Sequence, residues 1–182
     1  MKIKTSMVVN SFPLLNSTNI KAKELAREGA DPWTVILAEE QAGGYGKEKR
    51  QWFSPKGGLY FSVILPKSDI KDIQILTVLA AFSVARILNE EYKVQALIKP
   101  PNDIWVNNKK IAGILTENII AGEKAQSSVI GIGINTNIKN FPKDLANIAA
   151  SLKIETGQES DNKDLMKKIT EELKKQLEAI SQ

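Results

Sequence analysis

"DIWVNNKKIAGILTENII", residues 103–120, reads as two strands folded back on each other. Two asparagines, Asn107 and Asn108, separate the apolar runs, and asparagine tolerates the positive φ that a two-residue hairpin turn demands. A short run before the hairpin, "QALIKP" (95–100), is a further strand. A longer one after it, "AQSSVIGIGINTNI" (125–138), is expected to lie beside the hairpin in an antiparallel sheet. Upstream, "SMVVNSF" (6–12), "WTVILAEE" (33–40) and "GLYFSVILP" (58–66) are strands, the last closed by Pro66.

Three segments carry helical patterns. Residues 16–30 can be capped by Ser17, Thr18 or Asn19, present Ile20, Leu25 and Ala26, and stop at Gly29. Residues 69–92 place Ile75, Leu79, Phe82, Ala85 and Leu88 at helical spacing, and residues 163–180 do so with Leu165, Ile169, Leu173 and Leu177. Hairpins interspersed with a few long helices predict an α+β fold: a mainly antiparallel, mixed sheet with helices packed on one face. A length of 182 residues fits a single domain over residues 1–182.

The chain contains neither cysteine nor histidine. Thiol nucleophiles, disulfides, thiolate metal sites and Ser-His-Asp chemistry are thereby excluded, and so is most zinc catalysis. What remains for catalysis is lysine, arginine, carboxylates, hydroxyls, backbone N–H groups or a bound cation. A net charge of +4 points weakly to an anionic ligand and argues poorly for nucleic acid. The start of the chain lacks a signal-peptide pattern. The longest apolar stretch, residues 73–88, is interrupted by Gln74, Thr77, Ser83 and Arg86 and reads as too short to span a bilayer. The expectation is a cytoplasmic protein with no membrane and no DNA partner.

Four stretches could carry chemistry. In "AGGYGKEKRQWFSP" (42–55), Gly43, Gly44 and Gly46 permit positive φ and a convergence of N–H groups on an anion. Lys47, Lys49 and Arg50 bring charge to the same place, and Trp52 offers a stacking face. The same residues also suit a basic surface loop with Trp52 in the core. In "KPPND" (99–103) two prolines fix an extended backbone that presents Asn102 and Asp103. These residues are able to bind substrate, hold magnesium or orient a lysine, or simply to make an Asx turn. In "KKIAGIL" (109–115), strict alternation puts Lys110 on one face with Ala112 and Ile114, opposite Ile111, Gly113 and Leu115. A shielded lysine attracts an anion by ~4 kcal/mol at about 4 Å and an effective dielectric of about 20, before desolvation is subtracted. The alternative is a lysine at a strand entrance that snorkels to water. In "GIGINTN" (131–137) glycines leave one strand face bare, so that a ligand or another backbone can approach.

Taken in order, these stretches resemble the catalytic domain of biotin protein ligases, over nearly the whole chain. The family's S-T-N is matched by Ser17-Thr18-Asn19. Its glutamine and G-R-G-R-x-x-R loop are matched by Gln41 and Gly44-Tyr45-Gly46-Lys47-Glu48-Lys49-Arg50, followed by Trp52. Its K-W-P-N-D is matched by Lys99-Pro100-Pro101-Asn102-Asp103, its K-apolar-A-G-I-L by residues 110–115, and its G-I-G-I-N-x-N by residues 131–137. A late A-T-S-L is matched by residues 149–152. Tyr45 and Lys47 stand where the pattern has arginine, and Pro100 where it has tryptophan. Lysine keeps the charge without the planar fork, and tyrosine loses the charge.

The resemblance implies a fold shared with class II aminoacyl-tRNA synthetases and the biotin–lipoyl ligases. It also implies a biotin–[biotin carboxyl-carrier protein] ligase using ATP and Mg2+, the metal arriving with ATP near Asp103. Ser17, Thr18, Asn19, Gln41, Gly44, Tyr45, Gly46, Lys47, Lys110 and Gly113 would bind biotin. Arg50, Trp52, Asn102, Asp103 and Asn135 would face the nucleotide, and Lys110, Arg50 and Lys47 would assist catalysis. The loop is expected to be a lid, mobile until ligand arrives. The resemblance further implies a minimal form without the N-terminal helix-turn-helix or the C-terminal β-barrel, and pairing of two copies at a sheet edge. Two other readings share these residues: a non-catalytic relative that binds biotin or its adenylate, and a ligase for lipoate or octanoate.

Overall fold

The computed structural model describes residues 7–66, 73–121 and 124–180. Strand β1 (Val8–Phe12) leads through helix α1 (Thr18–Arg27) to β2 (Thr34–Ala38), and β3 (Leu59–Ile64) follows the glycine-rich loop. Helix α2 (Ile73–Tyr92) precedes β4 (Leu97–Lys99), β5 (Asp103–Val106), β6 (Lys109–Ala121) and β7 (Lys124–Ile134). The short helix α3 (Leu152–Thr156) and the long α4 (Asn162–Ile180) close the chain. The expected starts at residues 6 and 69 lie outside the described residues, and α3 was not foreseen.

Among the described residues, seven strands form one mixed sheet in the order β1-β2-β3-β7-β6-β5-β4. Only β1 and β2 run parallel, and every other neighbour is antiparallel. Asn107 and Asn108 adopt φ of 49° and 63°, as the hairpin between β5 and β6 requires.

The period-two pattern of the central strands sorts the core into two layers. Val35, Leu37, Phe61, Val63, Ile130 and Ile132 face α2 and α4, where Leu165, Ile169, Leu173 and Leu177 complete the main core. Burying each such side chain stabilises the fold by about 1.5–3 kcal/mol. Ile36, Ile64 and Val129 point the other way and meet Ala22 and Leu25 of α1. The two long helices therefore cover one face, and the shorter α1 lies against the opposite face.

Helix α2 follows the expected spacing only in part. Ala85 and Leu88 are buried, but Ile75 and Phe82 are 47% and 48% exposed, and Leu76, Ala80 and Val84 are buried in their place. The helix is apolar on nearly every side, so spacing alone does not select its inner face. A buried contact does: Thr77 Oγ1 donates to Thr116 Oγ1 at 2.7 Å. With 20 residues, α2 is also long and apolar enough to cross a bilayer, contrary to the reading of residues 73–88 as too short. Half of its most apolar window is buried inside the protein.

Candidate active site

The α1 face of the sheet carries a cleft floored by glycines. Gly113 of β6 and Gly133 of β7 are register partners, and Gly131 lies opposite Leu115. The expected bare strand face is real, but the protein's own side chains approach it. A Cβ at Gly133 would come within 2.5 Å of Trp52 Nε1, and one at Gly113 within 3.2 Å of Trp52 Cζ3. A Cβ at Gly131 would come within 2.1 Å of Asn19 Oδ1. Trp52 thus lies across the paired glycines and joins the loop that precedes β3 to the centre of the sheet.

Lys110 enters the cleft because β6 does not alternate strictly. Ala112 pairs with Ile104 while Lys110 pairs with Trp105, which leaves Ile111 as an extra residue and makes a β-bulge. Ile111 and Ala112 are both in the main core. The expected face, Lys110 with Ala112 and Ile114, is therefore corrected. The bulge turns Lys110 to the side of Gly113, a Cβ on which would lie 3.5 Å from Lys110 Cε. The Lys110 ammonium forms an ion pair with Asp103 at 2.7 Å and lies 5.2 Å from the centre of the Trp52 ring. The Lys110 backbone is held from outside the sheet, its N–H donating to Ile148 O at 2.9 Å and its carbonyl accepting from Ala150 N–H at 3.1 Å.

The first turn of α1 forms a polar wall. Ser17 occupies the N-cap position but its hydroxyl makes no capping bond. Gln41 takes over instead, with Oε1 accepting from Thr18 N–H at 2.8 Å and Thr18 Oγ1 at 3.2 Å. This satisfies one of the donors a helix start leaves open. Gln41 Nε2 donates to Ser54 Oγ at 3.0 Å, and Ser54 Oγ donates to Trp52 O at 2.9 Å. Ser17, Thr18 and Gln41 line the same cleft as Lys110, Asp103 and Trp52.

The loop folds over this cleft as a tight turn. Trp52 N–H donates to Gly44 O at 2.9 Å, Gly46 N–H to Arg50 O at 2.8 Å, and Arg50 N–H to Lys47 O at 3.2 Å. Positive φ falls on Glu48 (58°) and Lys49 (57°), not on the glycines. The expected convergence of glycine N–H groups on an anion is corrected as well, because Gly43 N–H donates to Asn16 O and Gly46 N–H to Arg50 O. Gly44 is instead demanded by packing: a Cβ there would lie 2.5 Å from Ser54 Oγ and 2.8 Å from Gln41 Nε2. Tyr45, Gly46, Lys47 and Arg50 line the cleft. The Arg50 side chain is 79% exposed and pairs with Glu48.

Asn102 also lines the cleft, its Nδ2 donating to Ile114 O at 3.1 Å. Asn135 does not: it is buried, and its Nδ2 donates to Ala150 O at 3.0 Å, bracing the segment that holds Lys110. Asn19 is buried behind the wall, where Ser62 Oγ donates to its Oδ1 at 2.6 Å. Among the described residues no group of three or more acidic side chains could cage a metal ion. Asp103 is the one carboxylate among the cleft's lining residues. That donor set suits Mg2+ only as an ion carried largely by phosphate oxygens.

Two charged residues beside the loop were missed. Glu117 accepts from Asn19 Nδ2 at 2.8 Å, Tyr45 OH at 2.9 Å and Lys23 Nζ at 2.7 Å. Burial opposes its ionisation, but the hydrogen bonds from Lys23, Asn19 and Tyr45 outweigh this and hold its carboxyl below the ordinary range. Burial raises the Tyr45 phenol, and the neighbouring Glu117 raises it further. Glu117 follows Gly113 and Leu115 at period two, and Lys23 follows Asn19 by four residues on one helix face, so both periodicities contained the signal.

A model of the biotin/lipoate A/B protein ligase family matches residues 11–135. A bifunctional ligase/repressor BirA of Bacillus subtilis is 40% identical over 152 residues, covering 81% of this chain and 47% of that protein. A biotin–[acetyl-CoA-carboxylase] ligase of Paracoccus denitrificans is 34% identical over 123 residues, covering 66% of this chain and 51% of that protein. The chain thus spans about half the length of these curated relatives. Among solved structures, a biotin protein ligase from Aquifex aeolicus in complex with biotin and ATP superposes with a TM-score of 0.86 at 28% identity. That match covers 96% of this chain and 72% of the other.

Proposed function

From the premise that the chain belongs to the biotin/lipoate A/B protein ligase family, we propose that it activates biotin with ATP and transfers it to a lysine of a carboxyl-carrier domain. The observation that carries this reading is the meeting of Lys110, the polar wall and the basic loop around one cleft. The Aquifex aeolicus structure, with biotin and ATP, supports the choice of substrates.

In the first step the carboxylate oxygen of biotin attacks the α-phosphorus of ATP, the bond to the bridging oxygen breaks, and pyrophosphate leaves with its electrons. The product is biotinyl-5′-AMP. In the second, the neutral amine of the carrier lysine attacks the acyl carbon, AMP leaves, and the amine's proton passes to solvent. Neither step needs a histidine or a thiol, in keeping with the composition.

The two reacting groups are both anionic, so positioning and charge stabilisation dominate. An ammonium has three donors. Asp103, paired with Lys110 by charge at 2.7 Å, holds the ammonium at the cleft, where its donors can serve a carboxylate and a phosphate oxygen. Ser17, Thr18 and Gln41 supply hydrogen-bonding groups suited to the ureido ring. Lys47 and Arg50 bring positive charge from the loop, and Trp52 and Asn102 border the nucleotide side. Mg2+, carried on the ATP phosphates with Asp103 as the nearest carboxylate, would neutralise charge on the leaving pyrophosphate. Cytoplasmic location and pairing along a sheet edge belong to the same proposal.

Pyrophosphate release from biotin and magnesium-ATP tests the first step. Release that saturates with biotin and not with lipoate or octanoate is expected. Biotin binding without any release would favour the non-catalytic reading, and preference for octanoate or lipoate the other.

A further inference from the structure

The loop over the cleft is tied down at both ends, by bonds that lie wholly within the chain. At its C-terminal end, Trp52 O accepts from Ser54, which Gln41 links to Thr18 of α1. At its N-terminal end, the Tyr45 hydroxyl donates to Glu117 Oε2 at 2.9 Å. Glu117 is itself anchored to α1 through Asn19 and Lys23. Asn19 in turn accepts from Ser62, whose hydroxyl also lies 2.8 Å from Thr18 Oγ1. The two anchors thus belong to one network running from β6 through α1 and β3 to the loop. Tyr45 lines the cleft on one side of the loop and, with Ile20, Lys23, Leu115 and Glu117, a second hollow on the other.

We propose that Glu117 is a positioning residue that latches the Gly44–Arg50 loop over the cleft through the Tyr45 hydroxyl, before any ligand binds. A hydrogen bond to an ionised group is worth more than a neutral one, and here it is half-shielded from water. The Lys23 ammonium keeps Glu117 ionised and therefore accepting. The loop's own cations take no part in the latch: Lys47, Lys49 and Arg50 are exposed, with Lys47 and Arg50 at the mouth of the cleft. Tyrosine at position 45 thus trades a mobile cation for a fixed anchor, and the closed loop presents Lys47 and Arg50 to an incoming anion without first being ordered by it. The latch stands apart from the ligase reading. Only its consequence for biotin rests on that reading.

Exposed Lys47, Lys49 and Arg50 make the loop a trypsin target whenever it opens, and cutting then reports the open population. The ligand-free chain is compared with Tyr45→Phe, which removes one hydroxyl, and Glu117→Gln, which keeps the shape. Both variants are expected to be cut in the loop about tenfold faster than wild type, with Lys167 and Lys175 of α4 still protected. Biotin is expected to slow loop cutting in the variants, and the biotin KM to rise about tenfold with a smaller change in kcat, because the competent state becomes a minority. Equal loop cutting in wild type and Tyr45→Phe overturns the latch. So does a Tyr45→Phe protein cut in α4 as readily as in the loop, because the hydroxyl then supports the whole fold. If biotin changes nothing while the variants still open, the latch stands and the ligase reading fails.

Discussion

Asp103 and Lys110 reach each other across paired strands, Oδ1 to Nζ at 2.7 Å, because the bulge at Ile111 rotates the lysine onto the glycine floor. Asp103 begins β5 and Lys110 nearly begins β6, so one hairpin delivers both the charge and the group that aims it. The aspartate holds the ammonium by charge, and both side chains line the cleft.

Lys110→Ala is expected to slow adenylate formation by about 10²–10³-fold, the loss typical of one preorganised electrostatic partner. Asp103→Asn, which leaves the ammonium in place but misaimed, is expected to cost less. Single-turnover pyrophosphate release measures both. A Lys110→Ala protein as fast as wild type removes the lysine from the mechanism.

Gly133→Ala is expected to displace Trp52, since the new Cβ would lie 2.5 Å from its Nε1. Overpacking of this kind costs about 1–3 kcal/mol. Gly46→Ala is the comparison: its nearest neighbour, Arg50 O, is 3.9 Å away and the φ of −110° suits alanine. Urea midpoints should separate the two, with changed tryptophan emission only in Gly133→Ala. Matching midpoints contradict the placement of the indole.

Leu173→Ala on α4 is expected to destabilise the protein by about 2–5 kcal/mol, and Phe82→Ala on the exposed side of α2 by less than about 1 kcal/mol. The reverse order in urea unfolding would mean that α2 presents its other face to the sheet.

Glu117 sits below its ordinary value of 4.5 in the folded protein, so its contribution is complete above that value and disappears as pH falls through the lower folded one. Lys23 behaves in the opposite sense. Burial lowers it, the Glu117 hydrogen bond and charge raise it more, and its contribution holds below 10.5 and fades as pH rises beyond. The stability gap between wild type and Glu117→Gln should therefore narrow between pH 7 and about pH 3. A constant gap across that range shows that the charge of Glu117 plays no part.

Much of this was legible in the residues. Apolar alternation located the central strands, Asn107-Asn108 located the turn, and ordered motifs brought Ser17, Gln41, Lys47 and Lys110 to one place. What remained hidden depends on contacts between distant segments. Strict alternation could not reveal the bulge at Ile111, beside which the segment around Ile148–Ala150 pairs with the Lys110 backbone. Helical spacing could not choose the buried face of α2, which a threonine pair selects. The role of Asn135 as a buried brace depends on Ala150, 15 residues onward. Tyr45 departs from a basic motif, and its meaning emerges only beside Glu117, 72 residues away.

The most direct measurement is the mass of a biotin carboxyl-carrier domain after incubation with this protein, biotin and magnesium-ATP. A gain of one biotin, absent without ATP and abolished by replacing the acceptor lysine, is the expected result. An unchanged carrier mass, under conditions where biotin binding is seen by calorimetry, contradicts the account.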